Sequence, residues 1–251
     1  MIKLNNSQMY KIEHLFNDIK FYMGKSVLDG MMGEAYTHNI ENPTIAYLLV
    51  RQYCFINGNS KSSSAKQAIE NLPKTCKRII ANSDWHHIIE STYSKFEKSK
   101  RYSLKKQIDV FNKERLKECS ESLSNEYEIK VIEEKIYDLI ENDNKDPLDM
   151  KITDDYLNRG IGVCCFRKNE IVGICSSNII YKDGIEINIR VKQEYKHKGI
   201  GTAMASGLIL LCLEKGLYPS WDAANLSSLG LAKKLGYNFD SEYIIYKVNE
   251  E

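Results

Sequence analysis

The chain has 251 residues, enough for one or two domains, since a domain usually has ~100 to 200 residues. Hydrophobic residues make up 43% of it and charged residues 27%, and the formal net charge is +1. This composition excludes a disordered acidic tail and a bulk nucleic-acid binder. The longest apolar run, residues 208–213, is far shorter than the ~20 residues of a membrane span, and the N-terminus lacks an apolar stretch of signal-peptide type.

The seven cysteines are an odd number and contain no C-x-x-C spacing, which indicates neither a disulfide framework nor a zinc site. Such cysteines suit a reducing cytosol. We therefore expect a cytoplasmic protein with no metal and no membrane partner. The sequence leaves open whether it is a monomer or a homodimer.

In the first half, strand and helix patterns alternate, which indicates an α/β domain. The predicted elements are a helix over 7–23, a strand over 47–56, a helix over 62–72, a strand over 77–82, a helix over 83–96 capped by Ser83 or Asp84, and a helix over 104–124. We place the domain boundary near Asn125, which gives domains over 1–125 and 126–251. The first carries 19 Lys and Arg against 13 Asp and Glu, whereas the second carries 16 against 21.

The second half predicts a longer series of strands and helices. Its hairpin turns at Lys168-Asn169, because two alternating apolar segments meet at this short polar pair. The predicted elements are a strand over 127–132, a helix over 133–142, a short helix over 153–159, strands over 163–169, 170–180 and 185–191, a helix over 199–215, a strand over 217–222, a helix over 226–236 and a strand over 239–248.

The segment KHKGIGTAM, residues 196–204, joins a predicted strand to a predicted helix and contains Gly199 and Gly201. Glycines allow close approach of a ligand to the backbone, and the first N–H groups of a helix have no internal acceptor. Four cations against one glutamate in residues 190–198 also favour an anion site. The alternative is a helix that begins after a solvated basic loop. The segment matches neither the Walker nor the complete Rossmann pattern.

Two motifs carry a family resemblance. They are V-x-x-x-Y-K-x-K-G-I-G-T-A-M over 191–204 and W-D-A-A-N-x-x-S-x-x-L-A-K-K-L-G-Y over 221–237. Over about residues 126–248 the chain resembles the GNAT superfamily of acetyl-CoA-dependent N-acetyltransferases. More narrowly, it resembles the two-domain bacterial group that includes the zwittermicin A resistance acetyltransferase. The resemblance implies a mixed, mostly antiparallel sheet flanked by helices, with acetyl-CoA as the cofactor.

The resemblance also implies the cofactor contacts. Backbone amides from His197 to Thr202 would hold the pyrophosphate, and the Val191 backbone would bind the pantetheine arm. Asn225 and Ser228 would add contacts, although Asn225 also has the chemistry of a helix N-cap. The implied cofactor-binding residues are Val191, Lys196, His197, Lys198, Gly199, Ile200, Gly201, Thr202, Asn225 and Ser228.

The chain departs from the family pattern at two positions. Lys196 replaces the usual Arg or Gln before the first glycine, which keeps a charge but loses a planar fork. Ala232 stands where many members have a tyrosine that protonates the leaving thiolate. A different acid, or solvent, must then supply that proton.

Acetylation of an amine requires a base, because an alkylamine is protonated at neutral pH. The segment IEINIRV, 185–191, places Glu186, Asn188 and Arg190 on one face, and this polar row indicates a strand that borders a cleft. Glu186 is the first candidate base, with a solvated face or an ion pair with Arg190 as the alternatives. Asp222 would bind or deprotonate the amine, unless it only forms a turn. The candidate catalytic residues are Glu186, Asp222 and Asn188.

The leading functional prediction is therefore an N-acetyltransferase that acts on a primary amine of a small molecule. The narrower resemblance suggests an amine-bearing antibiotic or an amino-acid-like metabolite as the acceptor. One alternative is a CoA-binding regulatory or structural module that has lost catalysis. Another treats the basic run 98–106 as a nucleic-acid surface, but we favour a solvated face and expect no nucleic-acid partner. The first half could be a lid, a dimer surface or a degenerate copy of the second fold.

Overall fold

The computed structural model describes residues 1–17, 22–141 and 156–248. The chain divides into two compact units, one formed by residues 1–103 with the residues from 241 onward, and the other by Leu104–Asp240. These divisions differ from the predicted boundary near Asn125. Residues 104–125 belong to the second unit, and the end of the chain returns to the first.

Helices and strands alternate along most of the described residues. In chain order, the helices are α1 (Tyr10–Glu13), α2 (Tyr22–Leu28), α3 (Ala65–Glu70), α4 (His86–Thr92), α5 (Lys113–Ser120), α6 (Glu134–Glu141), α7 (Tyr156–Arg159), α8 (Ile200–Glu214) and α9 (Leu226–Lys234). The strands are β1 (Ile2–Lys3), β2 (Glu34–Thr37), β3 (Ile45–Val50), β4 (Tyr53–Gly58), β5 (Arg78–Ala81), β6 (Phe96–Leu104), β7 (Tyr127–Val131), β8 (Gly162–Arg167), β9 (Glu170–Tyr181), β10 (Gly184–Val191), β11 (Tyr218–Ser220), β12 (Asp222–Ala223) and β13 (Phe239–Val248).

The first unit is built on strands in the order β1-β2-β3-β4-β5-β13-β6. Strands β3 and β4 are antiparallel, whereas β4 and β5 are parallel and are connected through α3. Tyr47, Trp85 and Tyr246 are among the largest buried side chains, and they belong to a core cluster that includes residues of α3 and α4. Burial of such apolar surface stabilises the fold by roughly 25 cal/mol per Å².

The second unit contains a five-stranded sheet in the order β11-β10-β9-β8-β7. Strands β9 and β10 are antiparallel, whereas β10 and β11 are parallel and are connected through α8. Apart from the two-residue strand β12 between β11 and α9, the series β9-β10-α8-β11-α9 repeats the series β3-β4-α3-β5-α4 of the first unit. This repetition is what the degenerate-copy alternative predicts for the first half.

The fold class and most elements of the second half are confirmed. At the hairpin turn, Lys168 and Asn169 have φ angles of 49° and 68°, as a two-residue turn with two left-handed positions requires. The strand over 185–191 and the helices over 199–215 and 226–236 match β10, α8 and α9 to within two residues. In the predicted helix over 153–159, residues 153–155 lie outside the described part of the chain, and α7 forms the remainder.

Two predictions for the first half are wrong. The single strand over 47–56 is a hairpin of β3 and β4, and Arg51 at its turn has a φ of 51°. The helix over 104–124 is helical only in α5, because Leu104 ends β6 and Asn112 caps the helix. The Asn112 side chain accepts a hydrogen bond of 2.8 Å from the Arg115 N–H.

The predicted helices over 83–96 and 7–23 are shorter than expected. Asn82, not Ser83 or Asp84, occupies the cap position before a turn of 3₁₀ helix and α4, which ends at Thr92. Within the predicted helix over 7–23, the described residues form short helical pieces, and residues 18–21 lie outside the described part of the chain.

The basic run 98–106 lies mainly on β6, and several of its lysines pair with carboxylates. Lys98 lies 2.6 Å from Glu90, and Lys100 lies 2.8 Å from Glu242. These pairs fit the interpretation of the run as a solvated face. No described helix combines the length and the apolar character needed to cross a membrane.

Candidate active site

The loop before α8 turns twice through left-handed backbone. His197 has a φ of 62°, and Gly199, the residue that caps α8, has a φ of 82°. None of the N–H groups of residues 197–202 donates to an acceptor within the described residues, and Ala203 is the first to bond, to the Gly199 carbonyl at 3.0 Å. Consecutive N–H groups of this kind form a concavity that suits an anion.

Tyr195 connects this loop to Glu170, the first residue of β9. Its side chain is buried, and its hydroxyl donates to Glu170 at 3.2 Å. The Lys198 ammonium lies 5.1 Å from the centre of the Tyr195 ring, and the Arg167 guanidinium lies 5.7 Å from it. Lys196, His197 and Lys198 are exposed, so two cations flank the concavity. Sequence reasoning assigned no role to Tyr195, although it stands within the first motif.

The end of β10 packs against the beginning of α8. A Cβ atom added to Gly201 would lie 3.6 Å from the Ile189 side chain and 3.9 Å from that of Val191. The strand end and the loop therefore adjoin, as the predicted cofactor contacts of Val191 and of residues 197–202 require. Val191 is half-buried and is the last residue of β10.

Strands β10 and β11 pair over a short stretch and then separate. Their parallel pairing ends at Glu186 opposite Ser220, and the register between β9 and β10 shifts immediately after Glu186. Beyond Glu186, β10 pairs with β9 but not with β11 within the described residues. The two strands thus leave an opening that points toward the loop before α8.

Glu186 lies at the base of this opening and is only 5% exposed. Its Oε2 accepts from the Ser220 hydroxyl at 2.6 Å, and its Oε1 accepts from the Asp222 backbone N–H at 2.6 Å. Burial rules out a solvated Glu186, so that structural alternative is wrong. The ion pair with Arg190 stays an alternative, and the hydrogen bonds of Glu186 run to Ser220 and Asp222.

Of the candidate catalytic residues, Glu186 and Asp222 are in contact, and Asn188 lies on the same strand as Glu186. Asp222 is half-buried, begins β12, and touches Glu186 through its backbone N–H. Asn188 is half-buried two positions beyond Glu186 and lies opposite Ser176 of β9. Ser220 was missed, because a serine in a short apolar strand carries no motif. Its position as a small polar residue between Pro219 and Trp221 was the only available signal.

The N-terminus of α9 is held by side-chain hydrogen bonds. Asn225 caps the helix, and its oxygen accepts from the Ser228 N–H at 2.9 Å, as its N-cap interpretation predicts. The Ser228 hydroxyl accepts from the Trp221 indole N–H at 3.0 Å. Each of these two predicted cofactor residues therefore already makes a structural contact.

No hydroxyl occupies the position of the family's acid. Ala232 is fully buried, and the nearby Tyr237 donates its hydroxyl hydrogen to the Pro219 carbonyl. Burial also holds the pKa of Tyr237 well above its ordinary value, so this phenol releases a proton poorly.

A glycine-bearing loop that opens a helix, set beside two parallel strands that part, is the geometry that the two motifs predict. The family model described as GNAT acetyltransferase matches residues 13–246, which is most of the chain. The chain belongs to the GNAT acetyltransferase family. It is therefore an acyltransferase of the N-acetyltransferase type.

Relatives of this GNAT acetyltransferase support the assignment. A GCN5-related N-acetyltransferase-like protein from Streptococcus suis 89/1591 is 31% identical, and the match covers 97% of this chain and 99% of that one with a TM-score of 0.84. An uncharacterized N-acetyltransferase, YdfB, from Bacillus subtilis strain 168 is 34% identical over 93 residues, which span 36% of this chain and 36% of that relative.

A tandem GNAT protein from the clavulanic acid biosynthesis pathway shares the fold alone, at 8% identity and a TM-score of 0.56, over 98% of this chain and 96% of that one. The narrower resemblance to the zwittermicin A resistance group stays a prediction.

Proposed function

We propose that this GNAT protein transfers the acetyl group of acetyl-CoA to a primary amine of a small molecule. The observation that carries the proposal is the run of six N–H groups over 197–202 that have no acceptor within the described residues. A pyrophosphate supplies acceptor oxygens for such a run, and the helix dipole adds roughly 0.3 to 1 kcal/mol for a negative group.

The cofactor would lie between the loop and the parting strands. Residues 197–202 would hold the pyrophosphate through their backbone, with Lys196 and Lys198 beside it. Val191 would bind the pantetheine arm through its backbone. Asn225 and Ser228 are supported less strongly, because their polar atoms already bond within α9 and to Trp221.

Acetyl-CoA supplies the activated thioester, and the chain must supply a base. An alkylamine with a pKa of ~10.4 costs about 4.6 kcal/mol to deprotonate at pH 7. Glu186 is the proposed base, because it is a buried carboxyl group at the base of the opening and its two oxygens are fixed by hydrogen bonds. Asp222 and Asn188 would bind and orient the amine. A strand N–H near Val191 would stabilise the tetrahedral oxyanion.

We propose only the chemical class of the acceptor, not a particular molecule. The acidic balance of residues 126–251 suits a cationic amine, and the narrower resemblance suggests an amine-bearing antibiotic or an amino-acid-like metabolite. Because Ala232 carries no exchangeable proton, solvent would protonate the leaving thiolate.

The second candidate is a CoA-binding module without catalysis, and the observation that favours it is Ala232. Release of free CoA thiol distinguishes the two. The assay uses acetyl-CoA with putrescine, lysine and glucosamine as probe amines, and compares the wild-type chain with Glu186→Gln, Asp222→Asn and the exposed control Glu214→Gln.

For an acetyltransferase we expect amine-dependent thiol release that falls in the first two variants and persists in the control. Unchanged affinity for acetyl-CoA without thiol release from any of the probe amines would favour the binding module.

A further inference from the structure

Ser220 occupies the last paired position of β11, where the two parallel strands part. It is 1% exposed, and its partner across the strands is Glu186. Its hydroxyl oxygen lies 2.6 Å from Glu186 Oε2 and 2.8 Å from the Ile185 carbonyl oxygen. Ser220 therefore connects the candidate base to the backbone of the neighbouring strand.

The hydroxyl has one hydrogen for these two contacts. When Glu186 is ionised, Ser220 donates to its Oε2. When Glu186 is protonated on Oε2, the carboxyl O–H donates to the Ser220 oxygen, and the Ser220 hydrogen turns to the Ile185 carbonyl. The Asp222 N–H donates to Oε1 in both states. Either charge state is thus satisfied through rotation of one O–H bond, without movement of a heavy atom.

A base must pass between these two states in every turnover. In low dielectric, a buried carboxyl group whose partners fit only one charge state resists the change. We propose that Ser220 is a positioning residue that supports both charge states of Glu186 during proton transfer. This inference rests on the proposed function of Glu186.

Two protons leave the acceptor nitrogen during the reaction. The ammonium form of the acceptor gives the first proton to the Glu186 carboxylate, and the amine nitrogen then bonds to the acetyl carbon. The nitrogen loses its second proton to solvent as the carbon–sulfur bond breaks. Glu186 afterwards releases its proton to solvent, and the thiolate takes one from solvent.

The first test reads the protonation of Glu186 directly and needs no acceptor. Chains labelled with ¹³C at the glutamate side-chain carboxyl carbon are titrated by NMR, and the Glu186 resonance is identified by its loss in Glu186→Gln. The variant is Ser220→Ala. Its matched control is Ser206→Ala, because the Ser206 hydroxyl is also fully buried but has no hydrogen-bond partner within the described residues.

We expect the midpoint of the Glu186 resonance to rise by roughly 0.5 to 1 pH unit in Ser220→Ala. The serine donates to the charged form, and a charge-assisted hydrogen bond is about twice as strong as the neutral one that is lost with it. Ser206→Ala should leave the midpoint unchanged. Equal midpoints in the wild-type chain and Ser220→Ala would overturn the proposal.

The same NMR titration distinguishes protonation of Glu186 from protonation of the groups near it. Asp222, whose N–H donates to Glu186, and Tyr237, which interacts with Glu186 electrostatically, are titratable neighbours of Glu186, and Arg190 is the cation on its strand. Tyr237 stays neutral across the range, because burial raises its pKa well above the ordinary value. Asp222→Asn removes the other contribution, and the effect of Ser220→Ala should persist in that background.

A kinetic measurement tests the consequence for turnover. With the amine that gives the fastest CoA release, Ser220→Ala should lower kcat by about tenfold and leave the KM for acetyl-CoA unchanged. If Ser220→Ala does not fold, Ser220→Cys replaces it in both experiments, and its weak S–H donor should give a smaller midpoint shift. If no amine is accepted, the proposed function fails, while the NMR midpoints still decide the role of Ser220.

Discussion

Replacement of Glu186 by glutamine and by alanine distinguishes its role as a base from the contribution of its hydrogen bonds to stability. A glutamine oxygen can accept from the Asp222 N–H, and its amide NH₂ can donate to the Ser220 oxygen while Ser220 donates to the Ile185 carbonyl. All three hydrogen bonds therefore have a counterpart in Glu186→Gln. We expect the free energy of unfolding to change by less than about 1 kcal/mol.

Alanine removes both acceptor oxygens. Ser220 still bonds to Ile185, but the Asp222 N–H loses its acceptor, and an unsatisfied buried donor costs roughly 1 to 3 kcal/mol. Loss of the buried methylene adds about 0.8 kcal/mol. Glu186→Ala should therefore lower the free energy of unfolding by about 2 to 4 kcal/mol, as measured by urea denaturation.

The two variants should nevertheless lose activity alike, because neither side chain accepts a proton. A general base contributes roughly 10²- to 10⁴-fold, so CoA release at saturating substrates should fall by that factor in both. A glutamine variant that keeps its kcat within about threefold would refute the role of Glu186 as base. Equal destabilisation by glutamine and alanine would refute the hydrogen-bond assignment.

Further predictions concern stoichiometry, packing and thiols. In the first unit, the loop over 57–65 precedes α3. Its N–H groups at 58, 59, 61, 62 and 64 already donate to oxygens of the same segment or of Thr44, so they are not available to a pyrophosphate. Calorimetry should therefore find one acetyl-CoA per chain rather than two. Thermal unfolding should show that Gly207→Ala, in an open position of α8, stabilises by about 0.5 to 1 kcal/mol, whereas Gly184→Ala destabilises, because its Cβ would lie 2.3 Å from a carbonyl oxygen. A loss of stability in the first variant would contradict the packing. Alkylation of the native chain at pH 8 should modify one thiol, Cys119, because the other six cysteines are buried, and fast reaction of a second thiol would contradict their burial.

The second unit was predictable because its signals are local. The Lys168-Asn169 turn, the glycines around α8 and the Asn225 cap each act within a few residues, so the sequence alone indicates them. The family motifs then placed the loop and β10. The resemblance also identified the missing acid at Ala232.

The first unit was less predictable because its structure depends on distant segments. The run 98–106 appears as a charged stretch in the sequence, yet β6 lies beside β13, which is more than 130 residues away in the chain. Strand propensity is weak where such pairing decides the conformation. Ser220 was hidden for a similar reason, since its role arises only when β11 meets β10.

Binding of acetyl-CoA to the loop before α8 is the central claim, and calorimetric titration tests it most directly. Wild type is compared with Gly199→Gln and Gly199→Glu, which impose the same strain at a φ of 82° and differ only in charge. Gly216→Glu is the control, since Gly216 also has a positive φ, of 68°, and open surroundings. We predict binding at one site per chain that Gly216→Glu retains, that Gly199→Gln weakens, and that Gly199→Glu weakens by at least about tenfold more, because a carboxylate repels the pyrophosphate. Equal affinities of Gly199→Gln and Gly199→Glu, or no binding to the folded wild-type chain, would contradict the account.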